Sequence, residues 1–473
     1  MRAKIIITRL AAVTAVAATT WSVVVLTSTG PAAASFHGRA AGSSTGAPYV
    51  PGEVVVGYRP ASSSVIAHAT ATTMGLRAAD SIASGEQVLR LPAGVSVPSA
   101  VARLRRTPGV AYAVPNYRAH VAGSSAGRWV PDDPGRGAHA RGWQSMQWNF
   151  MGGAGADVPV AWSNLRTEGH PGGRGVVVAI VDTGVAYRRW HGFRRSPDFD
   201  RTRFVAGRDF VAHNGFPLDR EGHGTFVAGT VAESTNNGRG VTGIAYGATI
   251  MPVRVLDRDG WGNAATISKG IRYAVRHGAQ VINLSLEFDP SVNGAEIPDI
   301  LSALRFAHRR GVVVVAASGN EGDNEMAYPA RAGGVISVGA TTQDRCLAAY
   351  SNTSRRMDLV APGGGPDASG LNEANCHPYR RLPSIFQMTF PNPSNPRRFG
   401  FPTEWYGTSM AAPHVTGVAA LVIASGVIGR HPTPAQVLSR LESTAQPLGG
   451  AQPNAHYGYG LVDAGAATAP PSG

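Results

Sequence analysis

The feature that most constrains this chain is a series of near-continuous apolar runs in its middle third. They read RGVVVAIVDTG up to Gly184, ATIMPVRVL up to Leu256, AQVINLSL up to Leu286, GVVVVAASGN up to Asn320 and GGVISVGA up to Ala340. A strand with one wet face alternates apolar and polar residues. These runs do not, so they predict strands buried on both faces. Helix-like segments separate them, which predicts an α/β fold with a mostly parallel central sheet between helical layers. In such sheets function collects at the carboxyl ends of strands, and each run here ends in a polar or glycine-containing cluster.

A chain of 473 residues holds two to three units at about 100–200 residues each. The first 34 residues have the form of a signal peptide. Arg2, Lys4 and Arg9 precede an apolar stretch, and the small-residue site Ala32-Ala33-Ala34 follows. The alternative is an uncleaved anchor; the small-residue end favours export, so a secreted protein is expected. From 50 to 121, PGEVVVGYRP reads as a strand, and SVPSAVARLRRTPGVAYAVPNYRAH as helix, turn and strand. That is a small α/β unit. Residues 122–143 form a polar linker where cleavage would cost little structure, and 144–467 carry the large domain. The apolar stretch from His414 to Gly429 is interrupted by glycine, so it reads as a buried core helix and not as a membrane span. Two cysteines, Cys346 and Cys376, make one disulfide in an oxidising compartment or stay as two buried thiols.

The net charge is +13, which raises the question of nucleic acid. Lys4 and Lys269 are the only lysines, so the excess is arginine, and no dense basic run with interleaved aromatics occurs. A nucleic-acid footprint should cluster. No nucleic-acid partner is expected.

Four clusters carry chemistry. Asp182 ends the first run, His223 stands in DREGHGTFVAGTVA before a helix-like segment, Asn320 ends the fourth run, and Ser409 opens the apolar helix of WYGTSMAAPHVTGVAALV, with Pro413 placed in its first turn. Each alone also reads as a turn or a cap. Together they supply complementary roles. Ser409 needs a base to act as a nucleophile, and His223 can take that proton and return it. Asp182 can hold the imidazole, while Asn320 and the Ser409 amide can face an oxyanion.

With DTG, HGT and GTSMAxP in that order and SGN between, the chain resembles the subtilisin-like serine proteases (subtilases) from about Gln144 to Ala467, closing on YGYGLVDAGAA. The resemblance implies a subtilisin-like three-layer fold with a mostly parallel central sheet, preceded by a small α/β propeptide. It implies a secreted endopeptidase working through an acyl-enzyme; the rival reading is a catalytically silent subtilase-like binding protein. Protein or peptide substrates are implied, with the propeptide as intramolecular inhibitor and folding aid, and the enzyme as a monomer. The family's substrate-pocket residues fall on Ser285, Leu286 and Glu287, and on Ala317, Ser318 and Gly319. Glu287 replaces the family's glycine. With Glu321 expected near the pocket base, this suggests a basic or polar residue at P1, unless Glu287 faces solvent; Arg128 then becomes a processing junction. A structural Ca2+ site is implied at Asp133, Asp198 and Asn237, completed by carbonyls of Ser234, Arg239 and Val241, with Asp219 a candidate for a second. A long irregular segment, roughly 366–404, resembles a family-specific insertion tethered by Cys346–Cys376.

Overall fold

The computed structural model describes residues 2–4, 49–59, 75–83, 85–117, 129–137 and 139–470. Most of the signal-like segment, the linker residues 118–128 and the junction candidate Arg128 lie outside them.

The chain divides into two compact units, one spanning 15–127 and the other spanning 128–473 together with the first 14 residues. In the smaller unit, strands β1 (Tyr49–Tyr58), β2 (Arg77–Ala83), β3 (Glu86–Arg90) and β4 (Val110–Tyr117) form an antiparallel sheet in the order β2-β3-β1-β4. Helix α1 (Val97–Leu104) starts at Ser96, whose hydroxyl accepts the Ser99 N–H, with Pro98 in the first turn. Its buried Val97, Ala100, Val101 and Leu104 meet Val54, Val56 and Leu89 of the sheet.

In the larger unit the five runs become parallel strands: β5 (Val177–Asp182), β7 (Thr249–Arg254), β8 (Val281–Leu284), β9 (Val313–Ala317) and β10 (Ile336–Thr341). Two further strands, β6 (Arg203–Phe204) and β11 (Leu359–Pro362), complete the order β11-β10-β9-β8-β5-β7-β6; the two-residue strand Arg208–Asp209 also pairs with β7. Alternate residues enter two cores, as the uninterrupted apolar pattern requires. Val178 and Ile180 pack on one face, and Ala179 and Val181 on the other. Helices α2 (Val158–Thr167), α3 (His223–Ala232) and α6 (Thr408–Ser425) cover the first face. Helices α4 (Ala264–Arg276) and α5 (Pro298–Arg309) cover the second.

Helix α6 is apolar all round and runs through the core, as such a pattern demands. Among the described residues it is the one helix long and apolar enough to cross a membrane, but 83% of that stretch is buried inside the protein. Pro413 is not in its first turn as expected. It is the sixth residue, inside the helix, where it removes the amide that would bond the Ser409 carbonyl. From Gly363 to Gly407 the chain has isolated bridges but no helix or strand, and Cys346 and Cys376 are disulfide-bonded.

Candidate active site

Strand β5 delivers Asp182 at its carboxyl end, and α3 begins with His223 against it. The close approach depends on Gly224, where a Cβ would fall 2.2 Å from the Gly184 carbonyl oxygen and 3.1 Å from Asp182. His223 Nδ1 and Asp182 Oδ1 are 2.8 Å apart, and both side chains are fully buried. Burial opposes charge on the imidazole, but Asp182, Glu221 and Asp219 outweigh it and raise the His223 pKa. With Nδ1 facing the carboxylate, Nε2 is left as the proton acceptor. It is buried and has no hydrogen-bond partner.

The first turn of α3 is capped entirely by side chains and one carbonyl. Glu221 Oε2 accepts the His223 N–H at 2.7 Å, Thr183 Oγ1 the Gly224 N–H at 2.9 Å, Asp219 Oδ2 the Thr225 N–H at 2.9 Å, and the Gly222 carbonyl the Phe226 N–H at 3.1 Å. Asp219 also accepts from the Thr183 and Thr225 hydroxyls and from the Glu221 and Gly222 amides. Its two oxygens therefore take five donors, which leaves no room for the second metal site that the sequence suggested. Asp219 is a hub that fixes the β5–α3 junction. Asp219→Ala is expected to cost about 3 kcal/mol or more, since several buried donors lose their acceptor at once. Urea unfolding would measure it; a midpoint equal to that of the wild type would contradict this role.

Ser409 is the second residue of α6, 4% exposed. Its carbonyl, freed by Pro413, accepts the Ser285 hydroxyl at 2.8 Å, and its own Oγ lies 3.3 Å from the Ser285 carbonyl. The nucleophile candidate is thus tied to the end of β8, and its hydroxyl is not bonded to His223 in this structure. Asn320 follows β9, and its Oδ1 accepts from the Thr408 N–H (2.8 Å) and hydroxyl (3.1 Å). That fixes the amide so that Nδ2 is the outward donor; it reaches Glu287 Oε1 at 3.3 Å.

The expected pocket residues sit on both sides of this point. Ser285, Leu286 and Glu287 are buried, as are Ala317, Ser318 and Gly319. Leu286 turns into the core with Phe288 and Val292. Glu287 does not face solvent: it is 3% exposed, and a Cβ on Gly319 would come 3.0 Å from its Oε2. Gly319, at φ 117°, belongs to the region glycine favours. Glu321 is exposed overall, but its Oε2 is held by the Asn320 N–H at 3.0 Å and by Nδ2 of the buried Asn352 at 2.8 Å, so the carboxylate braces the loop after β9. The two-residue strands Gly262–Asn263 and Glu287–Phe288 each pair antiparallel with Arg2–Lys4 between them.

Sequence reasoning missed Glu221, Thr183, Thr408 and Trp405. Trp405 stacks on Phe226 with centroids 4.8 Å apart and lies 6.1 Å from the His223 ring. The signal for Glu221 was its place two residues before a candidate base.

The metal candidates also converge. Asp133 accepts the Asn236 and Asn237 amides, and Asp198 the Val241 amide and Asn237 Nδ2. Both carboxylates are fully buried. Desolvation pushes Asp133 up to about 6, with repulsion from Asp132 adding to it. It pushes Asp198 up to about 8, with repulsion from Asp133 and Asp200. A third acid that no local pattern marks, Glu233, is fully buried. Its pKa is raised by burial and by Asp198, although the Met388 N–H pulls it down. Ser234 uses its hydroxyl to hold the Arg201 and Thr202 amides, so of its two oxygens the carbonyl is the one that could hold a metal. Elsewhere, Asp344, Asp367 and His377 cluster near the disulfide, but Arg380 already pairs with Asp344 at 3.2 Å.

Residues 173–460 match the model of the subtilase family, and residues 37–116 that of the fervidolysin N-terminal prodomain. Among curated proteins, a thermophilic serine proteinase of Bacillus sp. (strain AK1) is 32% identical over 418 residues, covering 88% of this chain and 86% of the relative. Subtilisin BL of Lederbergia lenta is 36% identical over 296 residues, 63% of this chain and 91% of the relative. Among solved structures, a protease from Pseudoalteromonas arctica PAMC 21717 superposes with a TM-score of 0.57 at 30% identity, covering 72% of this chain and 99% of that one.

Proposed function

Because the chain belongs to the subtilase family and is a serine endopeptidase, we propose that it cleaves peptide bonds through an acyl-enzyme on Ser409. The observation that carries this reading is the buried, hydrogen-bonded pair of Asp182 and His223 with an unpartnered Nε2, in the unit that also holds Ser409. Ser409 turns about χ1 to give its proton to Nε2 as it attacks the scissile carbonyl. Asp182 stabilises the imidazolium, and His223 then protonates the leaving amine. Asn320 Nδ2 and the Ser409 amide receive the oxyanion, for which Asn320 lets go of Glu287. A serine-directed fluorophosphonate tests this by mass: it should label wild type and leave Ser409→Ala unmodified. A folded wild type that resists labelling would favour the silent binding protein.

The protein is made as a secreted preproenzyme, with residues 1–34 as signal peptide, 50–121 as propeptide, 122–143 as processing region and 144–467 as catalytic domain. The propeptide inhibits in cis and is removed by the enzyme's own activity. The buried carboxylate of Glu287 at Gly319 supports a basic P1 residue, which makes Arg128 the processing junction; the enzyme acts as a monomer.

Calcium fits the Asp133–Asp198 pocket. Two buried acids lie together, and among the described residues no Arg or Lys pairs with either one. No donor among those residues reaches the carbonyls of Ser234, Arg239 or Val241. These hard oxygens are what Ca2+ takes, and Asn237 joins them once its amide turns over. The ion would brace the loop after α3. Chelation is expected to lower Tm by on the order of 5–10 °C, reversed by calcium. An unchanged melting curve would count against the site.

A further inference from the structure

We propose that Glu221 is a positioning residue for the reaction: its buried carboxylate takes the backbone N–H of His223, fixes the start of α3 and sets a negative charge beside the base. The inference rests on His223 being the general base. The geometry separates Glu221 from an ordinary surface acid. It is 8% exposed, and its Oε2 takes the backbone N–H of His223 itself at 2.7 Å. The Glu221, Gly222 and Thr225 amides go to Asp219 and the Gly224 amide to Thr183, so Glu221 serves His223 alone in that turn.

The groups facing His223 come from three elements. Asp182 comes from the end of β5, Asp219 and Glu221 come from the turn before α3, and the uncharged ring of Trp405 comes from the irregular chain just before α6. Asp219 takes five donors, which spread its charge over a hydrogen-bond network, and Asp182 is committed to Nδ1. Glu221 is the carboxylate whose removal changes the charge around the imidazole without dismantling either arrangement. Desolvation pushes its carboxyl up to about 7, with the nearby His223 charge pulling the other way. The charge on each group therefore acts on the other.

The sign follows from the role. A general base works when neutral, so activity falls as pH drops through the His223 pKa. A nearby carboxylate favours the imidazolium and moves that limb to higher pH. Replacing it by a neutral amide moves the limb down.

The experiment compares pH profiles of kcat/KM for wild type, Glu221→Gln and Glu221→Asp. Gln keeps an oxygen for the His223 amide and loses the charge. The acid limb of Glu221→Gln is expected about one pH unit lower, with Glu221→Asp returning most of the way to wild type. An acid limb unmoved in Glu221→Gln would reduce Glu221 to a cap and overturn the proposal. If Glu221→Gln is too unstable for kinetics, the same comparison is made in the Ser409→Ala background by following the His223 ring protons by NMR. A wild-type midpoint there would overturn it equally. Failure of the underlying reading shows differently, as a His223→Ala protein that retains full activity.

Discussion

Replacing Ser409 by Ala is expected to lower kcat/KM for peptide hydrolysis by about 10⁶-fold, the scale known for loss of the nucleophile in subtilisins, while leaving the fold intact. The expectation of an intact fold comes from what the hydroxyl holds. Its one hydrogen bond runs to the Ser285 carbonyl at 3.3 Å, whereas the stronger link between the two segments uses the Ser409 backbone carbonyl. An alanine keeps that link, so the stability change should stay near 1 kcal/mol or below. Kinetics on a peptide substrate, a thermal melt and intact mass make the test. Because propeptide removal is assigned to the same serine, the mutant should also accumulate as precursor. A mature, active Ser409→Ala protein would refute the assignment of the nucleophile.

The second large effect is expected at Glu287. Wild type should prefer Arg or Lys over Phe at P1, and Glu287→Gly should lose about 100-fold or more in kcat/KM on basic substrates while gaining relative to wild type on Phe. The carboxylate is buried at the end of the Ser285–Glu287 segment, against Gly319 on the facing wall. An acid held there out of solvent attracts a cationic side chain more strongly than it would in water. It also rejects an apolar side chain that cannot satisfy it. When the Asn320 amide swings to the oxyanion, a substrate guanidinium takes over the oxygen that Nδ2 held. A fluorogenic panel varied at P1 decides the matter, and equal rates on Phe and Arg would end the charge argument.

Much of the fold was legible because burial on both faces leaves a mark on composition. β5, β8 and β9 show no polar alternation, and the structure sends their successive residues into two different cores. Asp182, His223, Asn320 and Ser409 stood out because each sits in a short local string at an element's end. What failed to show was burial of charge. Glu221 and Glu233 look like solvated loop acids in sequence, since nothing nearby in the chain reveals which side chains will close over them. Nor does the local sequence show that the Glu321 carboxylate is held by the buried Asn352, 31 residues later. Pro413 was placed in the first turn because proline is rarely tolerated deeper. Its true position makes sense only with Ser285, 124 residues before Ser409, supplying the donor that the Ser409 carbonyl lacks.

The long segment after β11 has a consequence for the lifetime of the enzyme. A protease must survive its own kind, and if arginine is taken at P1 this stretch offers Arg380, Arg381, Arg397 and Arg398 with no regular structure to shield them. Its tethers are spread along it: Arg380 to Asp344, Gln387 to the Thr242 carbonyl, Thr389 to Gly222 and Arg397 to Gly192. A neighbouring molecule can cut only a backbone that it can pull straight into its cleft, so each tether lengthens the chain's working life. The ties at Gly222 and Trp405 also reach the turn that carries His223, the proposed base. Self-digestion would then start by loosening the very residues that perform it, and a damaged molecule would fall silent before it could damage many others.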